Sequence, residues 1–315
     1  MPSVTTHRTF HTVRRWRRWI KNSPSEKRFT TMNIRILSIL AATLVLSACV
    51  DPIQKVNDAY PLETSDRKII TRYGDGLPLV VHLPEAGGQP HPVMIINHGR
   101  PFRSDVGEGI YKTSRQDPLV FRLNKAGIAA AYPIRSGYFS APGGDGERIA
   151  CNSPTGGQFS RALASGRDDI LGAISALRAI ERLDSDNVFV AGQSAGRFIA
   201  LAAMDGYPES VSGVISFNGG RCGNRGPLFN GISYAADLIA GAATGSSVPV
   251  MIVASANDKI IPPASSGRLR QAVCDGRGGC GSVSLYNAER AGHSLSNTAI
   301  QAGDAVIAFV ERHLN

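Results

Sequence analysis

The chain has 315 residues, of which 43% are hydrophobic and 19% charged, and 34 are glycines. This composition describes a soluble globular protein with many turns and enough apolar residues for a sizeable core. The net charge of +9 would fit nucleic-acid binding, but residues 1–48 hold nine Lys/Arg against one Glu, and the remainder holds 25 Lys/Arg against 24 Asp/Glu. The basicity therefore belongs to the leading segment, and we expect no nucleic-acid partner.

The leading segment has the plan of a secretory signal. From Met32 it reads as a short basic start with Arg35, an apolar run over 36–46 and then small residues. The apolar run is too short to span a membrane, which needs about 20 residues. Residues 46–49, LSAC, resemble the lipobox of bacterial lipoproteins. This resemblance implies that Cys49 becomes the lipidated first residue of the mature chain.

The signal divides the chain into three parts. We assign leader and signal peptide to 1–48, a polar tether to 49–66 and a folded domain to 67–315. Residues 1–31 are interpreted as lying upstream of the true start codon, the alternative being a long basic start of the signal. We expect an exported lipoprotein anchored on the periplasmic face, and Val50 favours the outer membrane.

Four cysteines remain after the lipobox, and an even number fits disulfides in an oxidising compartment. Three pairings of Cys151, Cys222, Cys274 and Cys280 are possible. The Gly-rich string CDGRGGC favours Cys274 with Cys280, which leaves Cys151 with Cys222. The alternative is four free buried thiols. None of them shows the C-x-x-C spacing of a zinc site, so we expect no metal there.

After the tether, apolar runs typical of strands alternate with patterns typical of helices. The runs 68–73 and 77–83 flank Asp75-Gly76, which predicts a β-hairpin. The later runs are continuously apolar, as in strands covered on both faces, and their alternation with helices predicts one α/β domain with a parallel sheet. These strands are predicted at 92–97, 127–133, 187–192, 211–218, 248–255 and 282–287, and the helices at 117–125, 165–183, 195–206, 232–242, 265–273 and 296–313.

A long irregular stretch, 134–164, interrupts this alternation. It is too long for an ordinary connection, and such loops are usually functional or disordered. It follows the end of a predicted strand, which is where ligands bind in open α/β sheets.

The string GQSAG at 192–196 joins a predicted strand to a predicted helix. The glycines permit a strained turn that lifts Ser194 above the sheet edge, where a nucleophilic serine would lie. The start of the following helix offers N–H groups to developing negative charge. A serine that merely occupies a tight turn is the alternative, because a hydroxyl becomes a nucleophile only beside a base that is itself held in place.

Two residues downstream are candidates for that base and its partner. Asp258 follows the strand predicted at 248–255, and His293 follows the strand predicted at 282–287. The order Ser194, Asp258, His293, each just past a different strand, is the order of α/β-hydrolases. The alternatives are a turn or N-cap aspartate and a polar loop histidine. The pattern predicts a nucleophile, an orienting carboxylate and a base, in that order.

The string NHGRP at 97–101 resembles the H-G-x-P oxyanion loop of α/β-hydrolases. The resemblance implies that the backbone N–H groups of Arg100 and Ala195 bind the oxyanion, and that His98 is structural. Together with AYPIRSGYFSAPGG, DDILGAISALRAI and VISFNGG, these motifs make residues 67–315 similar to the exported, dienelactone-hydrolase-like branch of serine hydrolases. Dienelactone hydrolase proper uses a cysteine nucleophile, so its named activity is not carried over.

The resemblance implies an α/β-hydrolase fold and cleavage of small carboxylic esters through an acyl-enzyme on Ser194, with no cofactor. A serine peptidase of the same fold ranks lower because the sequence shows no long cap insertion. A lipid-anchored binding protein without catalysis is the third hypothesis, and the intact Ser-Asp-His order speaks against it.

Arg197 departs from the glycine that most relatives carry after the second glycine of this turn. A cation in the first turn of a helix opposes the helix dipole. One hypothesis is an outward salt bridge to an acidic residue of 134–164. The other is contact with an anionic group of the substrate.

Overall fold

The structure is a computed structural model that describes a single α/β unit. The described residues are 63–65, 67–85, 90–100, 117–139, 141–222 and 228–315. The predictions for the leader, the signal peptide, Cys49 and most of the tether lie outside these residues. Within the described ranges, no helix combines the length and apolar character needed to cross a bilayer.

A nine-stranded sheet forms the centre, in the order β1-β2-β3-β5-β4-β6-β7-β8-β9. The first three pairs in this order, β1–β2, β2–β3 and β3–β5, are antiparallel, and the remaining five pairs are parallel. The strands are β1 Glu63–Thr64, β2 Lys68–Tyr73, β3 Leu77–His82, β4 His91–Asn97, β5 Ala129–Pro133, β6 Leu183–Gln193, β7 Val211–Phe217, β8 Val250–Ala254 and β9 Val283–Asn287.

The predicted hairpin is confirmed as the β2–β3 pair. Its turn contains Gly74 at φ 48° and Gly76 at φ 91°, a backbone conformation that glycine adopts without a steric penalty. The predicted parallel sheet is confirmed from β5 to β9. Its strands β4, β5, β7 and β8 are almost wholly buried, whereas the edge strand β9 is largely exposed.

Helices cover both faces of the sheet. They are α1 Pro118–Lys125, α2 Gly156–Leu177, α3 Ala195–Ala202, α4 Leu228–Thr244, α5 Pro263–Gly276 and α6 Leu295–Arg312. Alternate residues of each strand point to opposite faces, so Val93 and Met94 belong to different core clusters. The first cluster contains residues of α2 to α5, and the second contains residues of α1 and α6. The central parallel strands β4, β5, β7 and β8 are therefore buried on both sides.

The helix α2 corrects the prediction for the long irregular stretch. It begins at Gly156, nine residues before the predicted start, because Thr155 and Gln158 form a reciprocal capping box at its N-terminus. It ends at Leu177, six residues before the predicted end. The irregular connection after β5 is therefore 134–155, shorter than the predicted 134–164.

Two disulfides fix loops of the domain, and both pairings match the prediction. Cys151 is bonded to Cys222 across 71 residues, and Cys274 to Cys280 across 6. The first bond ties the connection 134–155 to the segment after β7. The alternative of four free thiols is therefore wrong.

Candidate active site

Ser194 lies on a tight turn between β6 and α3. Its backbone is in the left-handed region, with φ 54° and ψ −115°, a costly conformation for a residue with a side chain. The flanking glycines make the turn possible. A Cβ on Gly192 would lie 2.4 Å from the Gly196 carbonyl oxygen, and one on Gly196 would lie 2.4 Å from the Asn97 carbonyl oxygen. The predicted strand, turn and helix around Ser194 are thus all present.

Asp258 and His293 form a hydrogen-bonded pair in which Nδ1 of the imidazole lies 2.8 Å from Oδ2 of the carboxylate. The other carboxylate oxygen accepts the N–H groups of Ile260 and Ile261, each at 2.8 Å. Burial opposes ionisation of Asp258, but the bond to His293 and the backbone donors outweigh it and lower its pKa. The carboxylate stays ionised and fixes the ring, which leaves Nε2 for another partner.

The backbone around His293 is held at the ends of three neighbouring strands. The Gln193 side chain, at the end of β6, donates to the His293 carbonyl at 2.9 Å, and Asn218 donates to the Gly292 carbonyl at 2.8 Å. The Gly292 N–H donates to Asn257 Oδ1 at 2.7 Å. Because Gln193 directly precedes Ser194, its hydrogen bond to the His293 carbonyl holds the loop that carries His293 beside Ser194.

These anchors were not among the residues singled out from the sequence. Gln193 lies inside the predicted GQSAG motif, and Asn218 directly follows a predicted strand, so position alone was the available signal. Within the described residues, the Ser194 hydroxyl makes no hydrogen bond to His293. Catalytic hydrogen bonds of this kind commonly close only when substrate binds.

His98 is buried and neutral. Burial, reinforced by the charge of Arg135, places its pKa well below the usual range. The Arg135 N–H donates to Nε2 at 3.4 Å, so Nε2 carries no proton, and Nδ1 donates to the Gly99 carbonyl at 2.8 Å. A buried neutral ring with both nitrogens in use is structural, as the resemblance implied.

The hydrogen bond from His98 also orients the next peptide. In a trans peptide the C=O and the N–H point in opposite directions. With the Gly99 carbonyl turned towards His98, the Arg100 N–H leaves on the other side. The backbone there lies against the nucleophile turn, since a Cβ on Gly99 would come 3.0 Å from Ser194 Cβ. The second predicted donor, Ala195, is the first residue of α3, so its N–H has no acceptor within the helix.

Arg197 contradicts both hypotheses made for it. Its side chain is 0% exposed, so it neither forms an outward salt bridge nor offers a surface to a substrate. Nη1 donates to the Gly219 carbonyl at 2.9 Å and to Ser266 Oγ at 3.0 Å, whereas Nε and Nη2 have no hydrogen-bond partner among the described residues. Burial lowers the pKa of Arg197 to about 9, and the charge of Asp258 opposes this effect. Arg197 is a buried cation behind the site.

The described residues contain no group of three or more His, Cys, Asp or Glu side chains placed to hold a metal ion. The expectations of no metal and no cofactor therefore stay predictions from the sequence. The groups whose contacts the structure shows are a serine on a strained turn and, linked to that turn through Gln193, a carboxylate-imidazole pair. Groups of these types can carry out acyl transfer.

Comparison with known proteins identifies the fold. Neither a protein-family model nor a curated protein sequence matches the chain. Among solved structures, one from Klebsiella pneumoniae, assigned as a dienelactone hydrolase, has a TM-score of 0.55 at 18% identity and covers 79% of this chain and 100% of its own. An α/β serine hydrolase without a lid from Xanthomonas campestris has a TM-score of 0.52 at 18% identity, covering 81% of this chain and 98% of its own.

A third similar structure is Est1E from Butyrivibrio proteoclasticus with ferulic acid bound. Its TM-score is 0.54 at 15% identity, and the match covers 77% of this chain and 99% of its own. The fold is therefore the α/β-hydrolase fold, as predicted. At these identities the likeness establishes the fold alone.

Proposed function

We propose that the protein is a serine hydrolase that cleaves small carboxylic esters through an acyl-enzyme on Ser194. The observation that carries this proposal is the arrangement of the strained Ser194 turn beside a histidine that is 2.8 Å from a buried carboxylate. Strain at a non-glycine residue persists only where the surrounding structure enforces it, and such positions concentrate at active sites. The similar solved structures described above support the same class of reaction.

The mechanism follows from the hydrogen bonds of the pair. Asp258 holds the Nδ1 proton of His293, so Nε2 takes the proton of Ser194 as its oxygen attacks the ester carbonyl. The resulting oxyanion accepts the N–H groups of Arg100 and Ala195. His293 then gives its proton to the departing alcohol, and water hydrolyses the acyl-enzyme by the same route. Loss of one oxyanion donor typically costs about 100-fold or more in rate.

Replacement of the nucleophile tests the proposal. In Ser194→Ala we expect hydrolysis of a short nitrophenyl ester to fall by about 1,000-fold or more, because the covalent route is gone. A fluorophosphonate probe should label the parent protein on Ser194 and leave the variant unlabelled. Ser284→Ala, at an exposed serine of β9, is the matched control and should retain both properties.

Unchanged hydrolysis and labelling in Ser194→Ala would refute the proposal. Peptide anilides assayed beside the esters distinguish an esterase from a peptidase. Turnover of the peptide substrates alone would favour the serine peptidase, which ranks below the esterase from the sequence. A protein that binds esters without turning them over, and that no probe labels, would be the binding protein considered from the sequence.

We also propose that the mature protein is exported and anchored through a lipid on Cys49. The support is the lipobox-like string 46–49 together with two disulfides in the described domain. Disulfides persist in oxidising compartments such as the bacterial periplasm and are rare in the cytosol. The proposed substrate is accordingly an ester that reaches the periplasmic side of the membrane.

A further inference from the structure

The connection 134–155 carries a carboxylate with no solvent exposure, that of Glu147. It accepts Arg135 Nε at 2.5 Å and Nη2 at 3.3 Å, the Tyr138 hydroxyl at 2.9 Å, and an N–H of Arg221. Burial alone would raise the pKa of Glu147, but the charges of Arg135 and Arg221 outweigh it and lower the pKa to about 2. The group is ionised at neutral pH, and we call these four residues the Glu147 cluster.

Stability alone is a poor explanation for such a cluster. It places two cations and one anion in the interior, and desolvation of buried charges offsets much of their mutual attraction. Apolar side chains of similar volume often serve equally well or better. The residues that the cluster contacts therefore indicate a role other than stability.

The Glu147 cluster contacts the predicted oxyanion loop at His98. Arg135 Nη1 donates to the His98 carbonyl at 2.9 Å, and the Arg135 backbone N–H donates to His98 Nε2 at 3.4 Å. His98 in turn donates to the Gly99 carbonyl at 2.8 Å. A continuous set of hydrogen bonds thus runs from Glu147 to the peptide that presents the Arg100 N–H.

The cluster has a second link, to the nucleophile turn. Arg221 is followed by Cys222, whose disulfide to Cys151 ties the two cluster-bearing segments covalently. On its other side, the Gly220 N–H donates to the Ser194 carbonyl at 3.2 Å. Glu147 therefore stands between the oxyanion loop and the segment that contacts the nucleophile.

We propose that Glu147 is a positioning residue that acts through Arg135 and His98 to hold the Arg100 N–H where the oxyanion forms. This proposal rests on the proposed serine hydrolase function. An N–H that is displaced by a fraction of an ångström still permits substrate binding but stabilises the oxyanion less. The signature is a loss of kcat with little change in KM.

The test uses Arg135→Lys and Glu147→Gln in the full-length protein. Arg135→Lys keeps the positive charge but lacks the forked guanidinium that binds Glu147 and the His98 carbonyl together. The matched control is Arg277→Lys, because Arg277 also donates to a backbone carbonyl, that of Val248 at 2.6 Å, and lies beside the opposite edge of the sheet. All three are compared with the parent for ester hydrolysis and for inhibition by an alkyl trifluoromethyl ketone.

Inhibition by the ketone reports how well the enzyme stabilises the oxyanion. Attack by Ser194 forms one C–O bond, the serine proton moves to His293, and the carbonyl oxygen becomes an anion in the oxyanion hole. We expect Arg135→Lys and Glu147→Gln to lower kcat by about 10-fold or more and to weaken the ketone by a similar factor, with KM within about threefold of the parent. Arg277→Lys should leave all three quantities unchanged.

If kcat and ketone inhibition in the two cluster variants match those of Arg277→Lys, the positioning role is wrong although the hydrolase function stands. If the parent shows no Ser194-dependent hydrolysis, the proposed function fails and this proposal falls with it. Should either cluster variant be unfolded at the assay temperature, Tyr138→Phe replaces it. That variant removes one hydrogen bond to Glu147, and an inhibition constant equal to that of the parent would overturn the proposal.

Discussion

The glycines around Ser194 show how backbone space selects residue types at the site. Gly192 and Gly196 lie so close to neighbouring backbone that any Cβ would overlap it, and Gly99 packs against the nucleophile itself. The motif therefore identifies Ser194 from sequence, because the same geometry demands both the glycines and the strained serine. Asp258 and His293 follow from strand order, since the ends of parallel strands meet at one edge of the sheet.

The burial of the Arg197 side chain, by contrast, could not be predicted from the sequence. Its position in the first turn of α3 predicts a side chain directed to solvent or ligand, yet the side chain is fully buried. Burial of a cation depends on what Gly219 and Ser266 offer, and these residues come from distant parts of the chain. A local pattern contains no information on such partners.

The buried cation predicts an order of stability among variants at position 197. Arg197→Met keeps the apolar stem and removes a charge with two unpartnered nitrogens, Nε and Nη2, so we expect its free energy of unfolding to lie within about 1 kcal/mol of the parent. Arg197→Gly leaves a cavity and should lose about 3 kcal/mol. Urea denaturation measures both. A Met variant less stable than the Gly variant would show that the charge itself is required.

At the scale of elements, periodicity located the strands from β2 to β9 and most helices. It did not predict β1, which falls within the predicted tether 49–66, and it misplaced the start of α2. Two glycines, which are poor helix formers, directly follow Thr155 and precede the helically spaced buried residues Phe159 and Ala162. The structure begins the helix there because the Thr155 and Gln158 side chains satisfy backbone groups at its start. Capping was the signal in the sequence, and it outweighs the weak helix propensity of the two glycines that follow.

The two disulfides predict different outcomes when removed. In the loop-entropy description, closing 71 residues stabilises by about 4 kcal/mol and closing 6 by about 2 kcal/mol. Replacing Cys151 and Cys222 together by serine should therefore cost more stability than the same change at Cys274 and Cys280. It should also lower kcat, because only the first bond adjoins the Glu147 cluster. Thermal melts and ester kinetics of the two double variants give the comparison, and equal kcat values would contradict it.

At the scale of the whole molecule, the alternation of strands and helices predicts the α/β class and the parallel sheet. It does not give the order of the strands. The chain places β5 between β3 and β4, so the hairpin joins the sheet through β5 and β4 pairs with β6. This order brings the loop after β4 beside the nucleophile turn after β6, where the oxyanion donors are needed. The Glu147 cluster joins residues from two connections, 134–155 after β5 and the segment after β7, and is a product of that order.

The proposed lipid anchor is a property of the whole protein. We expect palmitate labelling of the full chain in a bacterial host, its loss in Cys49→Ser, and release of that variant from the membrane fraction. The reason is that the Cys49 thiol is the acceptor of the lipid in the lipobox. Ester hydrolysis should survive, because the described domain holds all the proposed catalytic groups. Palmitate labelling that persists in Cys49→Ser would exclude this site of attachment.

The contact between Arg197 and Gly219 has a consequence for how this sequence can change over time. A Cβ on Gly219 would lie 1.7 Å from Arg197 Cδ, so no other residue fits at position 219 while the arginine is present. Replacement of Arg197 by a smaller residue while Gly219 is present causes no clash, since it only leaves space. A mutational path from this chain to a relative with a side chain at 219 must therefore change position 197 first, and a path in the opposite direction must change position 219 to glycine before arginine appears at 197.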